Sequence, residues 1–321
     1  MNARLILSGI LFSFLALGWV GACVMLRAAE VGELVMPLED REFDALEVVT
    51  VGTGGPYENP ERLGPVTAIG WDTHVLLVDA GRGTAEALRL SKIPVSQPRT
   101  VLLTNLLPYN TMGLDDLLFT GWLVGREKGI QLIGPPGTRK FAKNLLAAHR
   151  AGSDAHGSSL NLPSEAIQLD VIEVGDGWSE ERDGLKIRAG ELRGGPTPGL
   201  AWRFERDGKS VLVAGTGWDS DTLVSLASGV DILVHEAVYV PAPEDIEDAG
   251  VIADPDRLRR EAALHTSILD VGELASRARV GTLLLVRMRP PPFFALQVRM
   301  IVDDHFDGNI EVPNDGDSYS P

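Results

Sequence analysis

The chain has 321 residues and a formal net charge of −16, from 29 basic and 45 acidic side chains. That balance argues against a protein whose affinity rests on clustered Lys and Arg, so neither nucleic acid nor an anionic lipid surface is an expected partner. At 44% hydrophobic and 23% charged residues the chain is globular, and its single cysteine, Cys23, excludes an internal disulfide and a thiolate-rich metal site.

Taken in chain order, residues 5–26 are uncharged and mostly apolar, between Arg4 and Arg27. As a helix they would reach about 33 Å, enough to cross a bilayer. Two readings are open. The run is longer than the apolar part of a cleavable signal, which favours a signal anchor. Val20-Gly21-Ala22-Cys23, however, resembles a lipobox, in which Cys23 would be lipidated. Both readings place the rest of the chain beside a bacterial inner membrane, on its periplasmic side. Residues 29–45 are acidic and loosely patterned, a tether.

From Leu46 the texture changes to short β-rich runs ending in Gly, Pro or Asn: 46–52, 66–70, 73–81, 99–105 and 130–135. Later runs lie at 171–175, 185–190, 200–215, 230–237 and 281–288, and Asp207-Gly208 marks a hairpin inside the longest. Helical patterns occupy 84–92, 112–125, 138–150, 219–229, 267–279 and 292–304. The pattern predicts one α/β domain over 46–312, two sheets with helices outside, followed by a polar tail over 313–321.

Several strand ends, in this order, resemble the metallo-β-lactamase superfamily, and within it the branch of ribonuclease Z and arylsulfatase-like hydrolases. GTGGP (52–56) is similar to the opening strand and loop, and LLVDAGRGT (76–84) to the second strand and its turn, with Asp79 in place. GLDDLLFTGWLVGR (113–126), IGPPGTRKF (133–141), DGKSVLVAG (207–215), DILVHEA (231–237), LHTS (264–267) and VRMRP (286–290) continue the likeness. The resemblance implies an αββα four-layer sandwich, here preceded by an N-terminal hydrophobic helix, with the site along one edge of the paired sheets.

It also implies zinc, and the residues for zinc are missing. The family's Thr-His-x-His-x-Asp-His loop corresponds to Thr104–Asn110, so its four ligand places hold Asn105, Leu107, Tyr109 and Asn110. The later ligand places hold Gly194, Thr216 and Arg287. Zinc needs three or more N, O or S ligands converging at about 2.0–2.2 Å for N and O. Amides are weak ligands, leucine and glycine offer none, and a guanidinium repels a dication. The expectation is therefore no metal and no cofactor. The six histidines show no local chelate spacing, and Asp219 and Asp221, beside the lost bridging Asp, suit a helix start better than a metal.

Other machinery persists. His265 and Glu236 match the branch's proton-donor pair, in which the carboxylate orients the imidazole; a structural role for both is the competing reading. Arg287 would place a fixed positive charge at the old second-metal position, beside Asn105, Asn110 and Thr216, with Arg193 adding a second charge from the adjacent loop. Such a pocket suits a small anionic ligand; alternatively Arg287 is a plug that salt-bridges Glu236 or Asp79. Strand alternation predicts that Arg289 faces away from Arg287.

The leading expectation is a membrane-tethered, non-catalytic homologue of metal-dependent hydrolases that binds a ligand or partner. The alternatives are a hydrolase with a rebuilt site, cleaving phosphodiester or sulfate-ester bonds with His265 and Asp219, and a structural scaffold. The oligomeric state is not set by the sequence.

Overall fold

The computed structural model describes residues 18–28, 31–32, 36–217, 220–238, 256, 260, 263–289, 295–303 and 305–321. Two compact units divide the chain, Met1–Glu39 and Asp40–Pro321. In the first, residues 18–28 are helical and carry the exposed Cys23. The expected hydrophobic helix over 5–26 is not supported: residues 5–17 lie outside the described residues, and no described helix is long and apolar enough to cross a membrane.

The second unit opens with β1 (Phe43–Gly52), β2 (Val66–Asp72), β3 (His74–Val78), α1 (Thr84–Leu90), β4 (Thr100–Leu102), α2 (Pro108–Thr111) and α3 (Leu114–Leu123). It continues with β5 (Ile130–Gly134), α4 (Thr138–Leu160) and β6 (Leu169–Glu173). The later half comprises β7 (Ser179–Arg182), β8 (Leu185–Leu192), β9 (Gly199–Arg206), β10 (Lys209–Val213), α5 (Ser220–Ala227), β11 (Ile232–Val238) and α6 (Ile268–Ala278). It ends with β12 (Thr282–Arg289), α7 (Ala295–Val302), β13 (Asn309–Glu311) and β14 (Asp317–Tyr319).

Among the described residues these strands form two seven-stranded sheets, ordered β14-β1-β2-β3-β4-β5-β6 and β13-β12-β11-β10-β9-β8-β7. Both sheets bury both faces, and the period-2 alternation of each strand feeds two different cores. Leu76, Val78, Leu102 and Ile133 of the first sheet meet Ile187, Trp202, Val213, Val234 and Leu284 of the second in a layer between the sheets. Their neighbours Leu77, Val101, Leu103 and Leu132 point outward onto Leu88 of α1, Leu117 of α3 and Ala142 of α4. On the far side Leu212, Leu233 and Leu283 pack on Leu223 of α5, Val271 and Ala275 of α6, and Val302 of α7. Four layers result, αββα.

Residues 313–321, expected to be a polar tail, instead carry β14. It pairs antiparallel with β1, Val48 opposite Tyr319. Asp315 anchors the approach, its carboxylate accepting from Thr53 N at 2.8 Å, Thr53 Oγ1 at 2.6 Å and Leu63 N at 2.5 Å. Polar side chains here serve backbone groups, which a hydrophobic pattern does not reveal.

Candidate functional site at the shared edge of the sheets

Strands β3 and β4 run parallel, as do β10, β11 and β12. Their C-terminal ends gather at one edge, the usual place for a site in parallel sheets because loops there are free of ladder bonds. Asp79 follows β3, Thr104 follows β4, Thr216 follows β10, Glu236 lies late in β11, and Arg287 and Arg289 end β12. The segment bearing His265 is tied alongside, since Val238 N donates to Thr266 O at 3.0 Å and Thr266 Oγ1 to Gly217 O at 3.2 Å.

Asp79 is buried and accepts from Thr104 N at 2.8 Å and from Thr104 Oγ1 at 2.8 and 3.0 Å. Burial pushes its carboxyl up to about 6, against the opposing pull of Arg287 and Thr104. Asn105 folds its loop locally: its Oδ1 accepts from Leu107 N at 2.9 Å and from Asn110 Nδ2 at 2.8 Å. The chain then turns through α2, started by Pro108 at the first helical position. Asn105 and Asn110 thus bond each other where the family's loop presents metal ligands. Asn105 Nδ2 and Asn110 Oδ1 are buried with no hydrogen-bond partner among the described residues.

The Arg287 guanidinium is almost wholly buried. Its Nη2 donates to Ala214 O at 2.7 Å, and its Nη1 stands 3.6 Å from Asp79 Oδ2. Nε and Nη1 have no hydrogen-bond partner among the described residues. Two features of the expected site come apart here. Arg287 pairs with Asp79 as the plug reading requires, yet it keeps donors in hand as the pocket reading requires. Arg193 does not contribute: its side chain is 79% exposed, beside Glu191 at 3.7 Å. Asp221 pairs with Arg277 at 2.8 Å, away from the edge, and Asp219 lies outside the described residues.

Glu236 organises the other half. Its Oε1 is 2.9 Å from His265 Nδ1, and its Oε2 accepts from Thr216 Oγ1 at 3.3 Å. Burial alone would raise its carboxyl, but the hydrogen bond from His265, with the charges of Arg287 and Arg289, holds it down at about 2. Tyr109 approaches Thr216, hydroxyl to Oγ1 at 3.4 Å; burial, then the Glu236 charge, raises its phenol. His235 points elsewhere: its Nδ1 bonds the Glu236 carbonyl, and burial lowers its pKa, which keeps the imidazole neutral in the core.

The expectation for Arg289 was wrong, and the reason is a bulge. Glu236 pairs with Val286 and Val238 with Arg289, so two steps on β11 match three on β12. The extra residue is Arg287, at φ +52°. A bulge reverses the alternation beyond it, and Leu285 and Met288, not Leu285 and Arg287, face the outer helices. Both arginines therefore reach the site. Arg289 Nη1 lies 2.7 Å from His265 Nε2, with its guanidinium 5.6 Å over the Tyr109 ring. A signal exists in the sequence only as the proline run that ends the strand.

Two sheets in this order, sandwiched by helices and opening their site at this edge, make this a metallo-β-lactamase-fold protein. No family model matches the chain. Ribonuclease Z of Mycobacterium bovis (strain BCG / Pasteur 1173P2) is 33% identical over 279 residues, 84% of this chain and 96% of that protein. Among solved structures, the metallo-β-lactamase fold protein YhfI from Bacillus subtilis superposes with a TM-score of 0.66 at 16% identity, covering 86% of this chain and 99% of that one. The short form of human tRNase Z gives 0.61 at 18% identity, covering 85% and 98%. The chain belongs to the metallo-β-lactamase superfamily, in its ribonuclease Z branch.

These findings correct two expectations. A membrane-tethered, periplasmic, non-catalytic binding protein is overturned by relatives that bear a nuclease's name across 84% of the chain; among the described residues no helix is long and apolar enough to cross a membrane. The exclusion of nucleic acid is overturned by the same relatives. Net charge sums over the whole surface, whereas contact with a phosphate is local.

Proposed function

We propose that the protein acts on RNA, holding a phosphodiester at the shared sheet edge with guanidinium and amide donors in place of metal. One observation carries this reading: among the described residues the buried Arg287 guanidinium keeps Nε and Nη1 without hydrogen-bond partners, and Asn105 Nδ2, on the loop after β4, is likewise unmatched. Buried donors left over in this way suit an oxyanion, because a guanidinium and a phosphate match in charge and in geometry. Relatives named ribonuclease Z, and the likeness to a tRNase Z, support RNA as the source of the phosphate.

The residues present do not fit a zinc pair. Asn105, Leu107, Tyr109, Asn110, Gly194, Thr216 and Arg287 stand at the family's ligand places, and among the described residues no three His, Cys, Asp or Glu side chains are grouped to share a metal. Arg287, 3.6 Å from Asp79, already supplies the positive charge that a cation would bring to that carboxylate. The roles that follow are binding for Arg287 and Asn105, orientation for Asn110 and Thr216, and proton handling for His265 with Glu236.

The test is binding of a fluorescently labelled transfer RNA to the full chain in EDTA. Retained affinity is expected, weakened at least tenfold by Arg287→Gln and by Asn105→Ala, in competition with inorganic phosphate. Loss of binding on adding EDTA, or equal affinity of both variants and the parent, would overturn the proposal.

A further inference from the structure

The hydrogen bonds around His265 have a direction that chemistry dictates. A guanidinium has only N–H donors, so His265 Nε2, 2.7 Å from Arg289 Nη1, accepts and carries no proton. Glu236 is held ionised and accepts from Nδ1–H at 2.9 Å. The imidazole is thus neutral, protonated on Nδ1, with its remaining lone pair occupied. In that state Nε2 can neither give a proton nor take one. The Glu236 partner explains the ring's orientation, but nothing in a structural role requires a cation on the other nitrogen of a His that is itself a proton handler.

Arg289 also spans the site. It is half-buried at the end of β12, where the bulge turns it inward, and lies over Tyr109, whose hydroxyl approaches Thr216. A guanidinium gains more from an anionic, bidentate phosphate than from one neutral imidazole nitrogen. We propose that Arg289 is a positioning residue that keeps His265 idle until a phosphate enters, and that the phosphate draws the guanidinium away and frees Nε2 for proton exchange with the ligand. This rests on the phosphate-holding reading above. It adds a selectivity that reading lacks, since a neutral molecule in the same place leaves the histidine capped.

Long-range proton–nitrogen correlation spectra of the 15N-labelled full chain read the state of each imidazole nitrogen directly, and calorimetry in parallel reads binding. Without ligand, His265 is expected as the Nδ1–H tautomer with Nε2 shifted by an accepted hydrogen bond. Saturating inorganic phosphate, or a short oligoribonucleotide, should move the Nε2 signal while Nδ1 keeps its Glu236 bond. Arg289→Ala should show the moved signal without ligand, and Arg289→Lys should restore part of the parent pattern.

If Arg289→Ala leaves the His265 nitrogens unchanged, Arg289 does not hold the ring and the proposal fails. If calorimetry shows phosphate or oligoribonucleotide binding while Nε2 stays put, the proposal fails and the phosphate-holding reading stands. If neither ligand binds, both fail. Movement with inorganic phosphate alone supports the release step and overturns RNA as the source.

Discussion

The guanidinium of Arg287 and the carboxylate of Asp79 face each other at 3.6 Å, both side chains at least 96% buried, too far apart for a hydrogen bond and too close to ignore each other's charge. Removing one member strands the other, and an uncompensated buried charge is costly. Arg287→Leu should therefore lower stability at pH 8 by about 3 kcal/mol in urea unfolding. Arg287→Leu combined with Asp79→Asn should recover part of that loss, because no charge is left alone. A single variant as stable as the parent would mean that the pair does not interact.

The two buried carboxyls should give opposite pH dependences. Asp79, with a folded value of about 6 above its ordinary 3.8, binds its proton more tightly in the native state. Its contribution is fully present below about 3.8 and is lost as the pH rises toward 6. Glu236, held at about 2 against an ordinary 4.5, contributes above 4.5 and loses that contribution as the pH falls toward 2. Asp79→Asn should abolish the decline of stability between pH 4 and 6, and Glu236→Gln should abolish the rise between 2 and 4.5. Denaturation curves across those windows check both signs.

Metal should matter little. A ligand that binds only the folded state raises the melting temperature, and among the described residues no three His, Cys, Asp or Glu side chains are grouped to hold zinc. The melting temperature in EDTA and in micromolar zinc should agree to within about a degree for the domain. A zinc-dependent rise of several degrees would refute the metal-free reading.

Asp315 should be worth more than its polar surroundings suggest. Its carboxylate accepts from the Thr53 and Leu63 backbone amides. Asp315→Ala leaves those amides unmatched and should cost about 2 kcal/mol. Asp307→Ala, at an exposed position nearby in sequence, should cost less than about 0.5 kcal/mol. Equal effects would remove Asp315 from the account of how β14 is held.

Much of this fold was legible in the sequence because its signals are local. The apolar runs at 66–70 and 73–81 become β2 and β3, and the patterns at 84–92 and 112–125 become α1 and α3, within a few residues. Where the reading stopped short, distant contacts decide. Helix α4 was expected to end near 150 but runs to Leu160 through Gly152 and Gly157. Its exposed extension makes a tertiary aromatic contact, His156 at 6.3 Å from Trp122, which no propensity encodes.

The site divided in the same way. Glu236, His265 and Arg287 stand out in the sequence by motif order, and the structure places His265 Nδ1 2.9 Å from Glu236 Oε1. Arg289 was missed, since a single bulged residue inverts the face of everything after it and leaves no periodicity to read. Arg193 was placed at the site on loop adjacency alone, and a glycine-rich loop with Gly194 at φ +88° turns it outward into solvent.

The pairing of β14 with β1 has a consequence for synthesis. Val48 emerges from the ribosome long before its partner Tyr319. Until then the outer edge of the first sheet offers unsatisfied backbone groups to any passing strand, a template for misassociation. A nascent chain would stay vulnerable until Tyr319 is delivered, and β14 would then act as a seal. Synthetic genes that slow translation just before Asp315 should then lower the yield of dispersed protein, although they change no residue of the product.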